Sequence, residues 1–241
     1  MTDELYLRFR DGKKKFAPLI DPDKYSSEGI KKIACLCEKS GVDFIFYGGS
    51  LLIQNNFESY LSILKENCGC PVILFPGSLF QISNKADGIL LLSMISGRNP
   101  EMLIGQHVIA APFIKASNLE VLPTGYILTG NTSSSVAYMS QTTPIPYGKD
   151  EIAASTAMAG EMLGLRMIYL EAGSGAVEPI PLSMIRRVRE CIGISLIVGG
   201  GICNPKDAQD ALDAGADVIV VGNALEKNPG LIFEISERIH K

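Results

Sequence analysis

The sequence has 241 residues, no tryptophan and two histidines, and aromatic residues make up 7% of it. So little imidazole leaves proton transfer to a carboxylate or a water. His107 lies in the apolar stretch 101–111 and reads as a packed or surface helix residue, and His240 sits in the tail. Cys-x-x-Cys spacing is missing too. The six cysteines comprise Cys35-x-Cys37, Cys68-x-Cys70 and the separate Cys191 and Cys203, which reads as buried free thiols rather than a metal site. Basic runs are scarce: Lys13-Lys14-Lys15 stands alone and reads as a solvated segment leading into the first strand. With a net charge of −4 and a pI near 5.3, the chain lacks the clustered cations that hold nucleic acid. No apolar stretch approaches the ~20 residues of a membrane span. The start, Met-Thr-Asp-Glu-Leu-Tyr, lacks a signal-peptide core, so a cytoplasmic location is expected. Without secretion the acceptor triplet Asn131-Thr-Ser133 carries no meaning.

What is present is a hydrophobic fraction of 46%, enough for one large core. Apolar runs alternate with amphipathic segments, and Gly-Val-Asp or Gly-Ala-Asp introduces a new run. The segment from Gly41 to Leu51 matches the segment from Gly215 to Leu225 nearly position for position. Continuous apolar strands separated by helices are the pattern of a parallel sheet covered by helices. Strands are predicted near 16–20, 44–48, 71–75, 88–93, 121–128, 166–170, 195–198 and 217–221, which closes a (β/α)8 TIM-like barrel of class α/β, a single domain over 1–241. Asn204-Pro205 with Asp207 opens one helix and Gly215 ends it; Asn99-Pro100 and Asp150-Glu151 open two more. Helix 150–163 is expected to pack through Ile152, Ala153, Thr156, Ala159, Gly160 and Leu163. Two places break the pattern. The link from Phe75 to Gly88 is too short for a full helix, so the helix after strand 3 is expected to be short or missing. Segment 129–149 is too long for a turn and reads either as a lid or as a loop fixed by Pro144 and Pro146.

Candidate chemistry gathers at strand ends. The apolar run from Met167 to Leu170 ends in Glu171 and a Gly173-Ser174-Gly175 turn, the place where a barrel presents a reactive group. Strands 7 and 8 run into Gly199-Gly200-Gly201 and Gly222-Asn223, where backbone N–H groups approach a phosphate most closely if no side chain intervenes. Asp21 ends strand 1 and Ser50 follows strand 2; together they suit Mg²⁺, which takes few protein ligands and completes its shell with water and phosphate. Asp21-Pro-Asp-Lys24 also reads as a good turn, and Glu171 also reads as a backbone cap. The apolar segment 102–114 serves the core or lines a groove for a hydrocarbon through the gap left by the missing helix. These readings leave open a sugar-phosphate isomerase or lyase and a non-catalytic phospholigand or FMN-binding barrel.

Taken together, Leu19-Ile-Asp-Pro-Asp-Lys24, Tyr47-Gly-Gly-Ser50, Asn99-Pro-Glu101, Ile104-Gly-Gln-His107, Thr142-Thr-Pro-Ile-Pro146, Ala159 to Gly164, Tyr169-Leu-Glu-Ala-Gly-Ser-Gly175, Val198-Gly-Gly-Gly-Ile202 and Val221-Gly-Asn-Ala-Leu225 resemble the geranylgeranylglyceryl phosphate synthase family, which shares its fold with the heptaprenylglyceryl phosphate synthases. The resemblance implies a Mg²⁺-dependent prenyltransferase that joins sn-glycerol 1-phosphate to an all-trans polyprenyl diphosphate through an ether. It assigns Mg²⁺ to Asp21 and Ser50, and glycerol phosphate to Tyr169, Leu170, Glu171, Ala172, Gly173, Ser174 and Gly175. The phosphate falls to Gly200, Gly201, Gly222 and Asn223, and Glu171 is the catalytic carboxylate that orients the glycerol hydroxyl and accepts its proton. One branch of the family has a lysine two residues before the metal aspartate; Leu19 places this chain in the other branch. A homo-oligomer and a peripheral contact with membrane for the lipid product are the expected associations.

Overall fold

A computed structural model describes residues 3–130 and 134–240. The triplet Asn131-Thr-Ser133 lies outside the described residues. The strands are β1 (Lys15–Ile20), β2 (Ile45–Tyr47), β3 (Val72–Leu74), β4 (Gly88–Met94), β5 (Glu120–Leu128), β6 (Met167–Glu171), β7 (Ser195–Gly199) and β8 (Val218–Val221). They form a closed barrel in which every neighbour is parallel and β1 pairs with β8. The helices are α1 (Glu4–Phe9), α2 (Ser27–Ser40), α3 (Phe57–Asn67), α4 (Gln106–Ala116), α5 (Ser135–Ser140), α6 (Asp150–Met162), α7 (Leu182–Cys191), α8 (Pro205–Asp213), α9 (Asn223–Lys227) and α10 (Leu231–Ile239).

The repeated Gly-x-Asp has a structural reason. Gly41 ends α2 in the left-handed conformation, φ 64°, and Asp43 two residues on accepts the Phe16 N–H of β1 at 2.8 Å. Asp217 does the same for Leu196 of β7 at 2.9 Å, and Asp87, which follows Lys85-Ala86 instead of a glycine, does so for Val72 of β3 at 2.7 Å. Each aspartate thus satisfies a backbone donor at the start of the preceding strand, where the ladder supplies no partner.

Along each strand, alternate residues face the barrel axis or the helices. Ala17, Phe46, Ile73, Leu90, Met167, Ile197 and Val218 fill the interior; Ile45, Leu74, Ile168, Leu170 and Leu196 belong to the layer shared with the helices. Leu170, one of the residues expected to hold glycerol phosphate, is fully buried with its side chain in the layer shared with the helices.

The N-terminal mouth is plugged by α1, an element absent from the sequence-based reading. Leu5 and Phe9 are buried, and Phe9 stacks on Phe44 with ring centroids 4.3 Å apart. Glu120, itself 5% exposed, accepts the Leu5 and Tyr6 N–H groups at 2.8 and 2.7 Å, which anchors the first turn of the plug. The basic run is likewise not a solvated segment: Lys15 is buried and paired with Asp11 at 2.7 Å, Lys14 reaches the Ala216 carbonyl, and only Lys13 is exposed.

As expected, no full helix follows β3; a single 3-10 turn, Leu79–Gln81, takes its place. Helix α6 packs more tightly than expected and through a shifted face. Ala153, Ala154, Ala157 and Gly160 are buried, whereas Ile152 and Leu163 are 52% and 79% exposed. Gly160 lets the helix sit close, since a Cβ there would press on the Cδ1 ends of Ile95 and Ile168 at 2.8 and 3.1 Å. Segment 129–149 is pinned at both ends by paired bonds, Gly130 N to Ile145 O and Ile145 N to Leu128 O, each 2.9 Å, and carries α5 between them.

Glu120→Ala removes the anchor of α1 and should cost about 2 kcal/mol, roughly 4–8 °C in Tm for a chain of this size, with turnover near wild type because the plug is remote from the strand C-termini. Thermal unfolding read beside an activity assay checks both halves.

Candidate active site

Strand ends, loops and α4 surround one cavity of about 420 Å³. One end is polar: Asp21, the Gly48-Gly49-Ser50 turn, Glu171, Gly173 to Gly175, Gly200, Gly201, Gly222 and Asn223 all line it. The other end is apolar and leaves through the gap after β3, between Leu79 and Ile82 on one side and Ala110 and Ile114 of α4 on the other. Met102, Val136 and Met139 roof it. The segment 102–114 is therefore a cavity wall as well as a core element. Among the described residues no helix is long and apolar enough to cross a membrane.

Glu171 is the last residue of β6 and faces inward, 6% exposed. Its Oε1 accepts the Gly173 N–H at 2.7 Å, so the capping role and the pocket-facing role coexist. Burial pushes its carboxyl up to about 7 from 4.5, against the opposing pull of the Gly173 N–H and the phenols of Tyr126 and Tyr169. The Tyr169 hydroxyl is enclosed and outside hydrogen-bond geometry with any protein atom, so it acts on the carboxylate as a nearby dipole. Burial keeps both phenols protonated, pushing them well above 10. Tyr126, Tyr169 and Phe75 stack in one layer beneath the polar end, centroids 5.3 to 6.1 Å apart. Tyr126 escaped the sequence reading; its signal was a phenol near the end of β5, paired in register with Tyr169.

The triple glycine is demanded by packing as well as by any phosphate. A Cβ on Gly199 would strike the Tyr169 hydroxyl, one on Gly200 would lie 2.6 Å from the Glu171 carboxylate, and one on Gly201 would strike the Glu178 backbone. Gly200 and Gly201 also have φ of +85° and +71°, which side chains disfavour. Asn223 joins the two glycine turns: its Oδ1 accepts the Gly175 N–H at 2.8 Å and the Ser174 hydroxyl at 3.3 Å. Of the residues expected to hold glycerol phosphate, Leu170 and Ala172 lie outside the cavity lining. Strand alternation turns Leu170 outward, and Ala172 continues the ladder, its N–H bonded to Gly199 O at 3.0 Å.

Asp21 approaches the second turn so closely that a Cβ on Gly49 would sit 2.9 Å from its carboxylate. Burial raises its carboxyl against the pull of the Asp23 N–H, which it accepts at 3.0 Å, and of Lys24, while the charges of Asp23 and Glu226 add smaller raises. A half-buried acid with acidic neighbours fits a cation. Among the described residues no three His, Cys, Asp or Glu side chains form a metal cage. His107 lines the apolar end, where its Nε2 donates to the Leu92 carbonyl at 2.8 Å. It is a wall residue and touches none of the polar groups at the other end.

A closed parallel barrel with glycine turns after its last two strands, a buried acid at the end of β6 and a cavity that is polar at one end and apolar at the other defines an α/β barrel with a single mixed cavity at its strand C-termini. The chain belongs to the PcrB family, whose model matches residues 10–239. It is 51% identical to a geranylgeranylglyceryl phosphate synthase from Chitinophaga pinensis over 100% of this chain and 97% of the relative. It is 41% identical to one from Pyrococcus horikoshii, over 95% and 90%. The crystal structure of (S)-3-O-geranylgeranylglyceryl phosphate synthase from Thermoplasma acidophilum in complex with sn-glycerol-1-phosphate superimposes with TM-score 0.92 at 34% identity, covering 98% of this chain and 97% of that one. A thiamine phosphate pyrophosphorylase from Pyrococcus furiosus, 16% identical with TM-score 0.59, shares the fold alone.

Because ionisation is harder in the folded protein, the neutral form of Glu171 is the stabilised one. Its contribution is whole below 4.5 and is lost as pH rises through about 7. Wild type should therefore lose stability on the order of 3 kcal/mol between pH 4.5 and 8 through this group, and Glu171→Gln should remove that component. Calorimetric scans across the range decide it; identical pH dependence in both proteins dismisses the assignment.

Proposed function

We propose that the chain is a geranylgeranylglyceryl phosphate synthase, a prenyltransferase that forms an ether between sn-glycerol 1-phosphate and an all-trans polyprenyl diphosphate and releases diphosphate. One observation carries the reading: a buried carboxyl poised near neutrality shares a single cavity with the glycine turns at one end and an apolar outlet at the other. Family membership and the glycerol phosphate in the Thermoplasma relative support it.

Glycerol phosphate lies along Tyr169, Glu171 and Gly173 to Gly175, with its phosphate on Gly200, Gly201, Gly222 and Asn223. Glu171, held by the Gly173 N–H, orients the attacking hydroxyl and takes its proton as the oxygen bonds to the first prenyl carbon. The bond from that carbon to the diphosphate breaks, and the diphosphate leaves with the electron pair. Asp21 and Ser50 hold Mg²⁺, which supplies charge neutralisation to the leaving group when bound. The prenyl chain runs into the apolar outlet, where each buried methylene is worth about 0.8 kcal/mol. Leu19, where one branch of the family has lysine, lies against Gly222 beside the cavity, and its identity places the chain in the other branch on this reading. The solvent face of α4 and the turn before it carries Ile104, Val108 and Phe113, each at least 60% exposed, which supports the homo-oligomer. Leu51, Ile53, Phe80 and Val177, more than half exposed on loops at the strand C-termini, support contact with a membrane that receives the product.

Labelled sn-glycerol 1-phosphate, Mg²⁺ and prenyl diphosphates of several lengths should give label in the organic phase. No transfer from folded protein with any donor would sink the reading. Glu171→Gln should lower turnover by about 10²–10⁴-fold. In wild type, kcat/KM should rise with pH through about 7 as Glu171 ionises; a profile flat from pH 5.5 to 8.5 argues against a carboxylate base. Asp21→Ala should raise the Mg²⁺ concentration needed for half activity, and unchanged metal dependence would free Asp21 from that role.

A further inference from the structure

The 3-10 turn that replaces the helix after β3 contains Gln81, a polar side chain with no exposed surface at all. Its amide bonds twice to one residue's backbone: Oε1 accepts the Gly49 N–H at 3.1 Å, and Nε2 donates to the Gly49 carbonyl at 2.7 Å. Burying an amide is unfavourable unless both its ends are bonded, and here both bonds go to the same peptide neighbourhood. A leucine would fill this apolar link at lower cost, so the amide is there for Gly49.

Gly49 needs a fixed partner. It follows Gly48, whose φ of 148° leaves the strand geometry of β2, and two adjacent glycines give the chain its greatest freedom. On one side the turn lies against the Asp21 carboxylate; on the other a Cβ on Gly77 would come within 2.7 Å of the Ser50 Cα. Gln81 closes the remaining direction and sets how the Gly49-Ser50 peptide faces the cavity beside Asp21.

We propose that Gln81 is a positioning residue for the diphosphate end of the prenyl donor, holding the turn that presents Ser50 next to Asp21. The inference rests on the donor placement given above. It separates the two substrates, because the glycerol phosphate turns belong to β6, β7 and β8, whereas Gln81 holds the β2 turn, with β1 between β2 and β8.

The test is calorimetric titration of the full chain with two probes, Mg²⁺ with inorganic pyrophosphate, and sn-glycerol 1-phosphate. In Gln81→Leu, pyrophosphate binding should weaken about tenfold, with glycerol phosphate affinity within twofold of wild type. Gln81→Glu keeps the acceptor for Gly49 N–H but donates to its carbonyl only when protonated, so its pyrophosphate affinity relative to wild type should recover as pH falls below about 6. Pyrophosphate binding within twofold of wild type in Gln81→Leu overturns the inference, as does equal weakening of both probes together with a pH-independent ratio for Gln81→Glu. If wild type itself fails to bind Mg²⁺ with pyrophosphate, the donor site falls first and the inference with it.

Discussion

A ring of eight parallel strands needs apolar cover on its outer face, and over β4 this ring has no full helix to provide it. The 3-10 turn Leu79–Gln81 is too small for the task, so Ile89 and Leu91 of β4 look into a space shared with Ile114 of α4. That one omission turns a packed barrel wall into an outlet. It also brings the link after β3 close enough to the β2 turn for an amide side chain to reach Gly49. Shape and chemistry of the cavity follow from the same missing element.

The polar end works through the opposite device, close cover. Three aromatic rings floor it, and the three glycines after β7 let the backbone close over Glu171 and Tyr169. The carboxyl is thereby removed from water while retaining one backbone donor, which leaves it near neutrality at physiological pH. A group kept in that condition weakens the folded state when it ionises, a cost of the kind found where a protein favours reactivity over stability.

Much of this was legible in the residues. The predicted strand ranges lie within one residue of the observed ends, because parallel strands buried on both faces are nearly continuous apolar runs bounded by Gly-x-Asp or glycine. The short link after Phe75 announced the missing helix by arithmetic alone. Other features hid. Helix α1 has six residues and two buried side chains, too short for a periodic signal, and its anchor Glu120 is more than a hundred residues away. Lys15 looked solvated because its partners Asp11 and Asp43 come from different segments. In α6, alanines as well as glycine form the buried face, so hydrophobicity pointed to the larger Ile152 and Leu163 instead. Leu170 was assigned to the ligand with its whole motif, and alternation from Glu171 puts its side chain in the outer layer, which the motif alone does not reveal. Gln81 carried no motif; a glutamine amid apolar residues was its whole signature.

The cavity has a direction. Its charged end is enclosed by turns that the barrel holds in place, and its oily end opens sideways between the 3-10 turn and α4. A molecule with a phosphate head and a long hydrocarbon tail therefore has its tail nearest an exit and its head deepest. The side of the barrel where the helix after β3 is missing is thus the side on which the tail of such a molecule meets the surroundings of the protein.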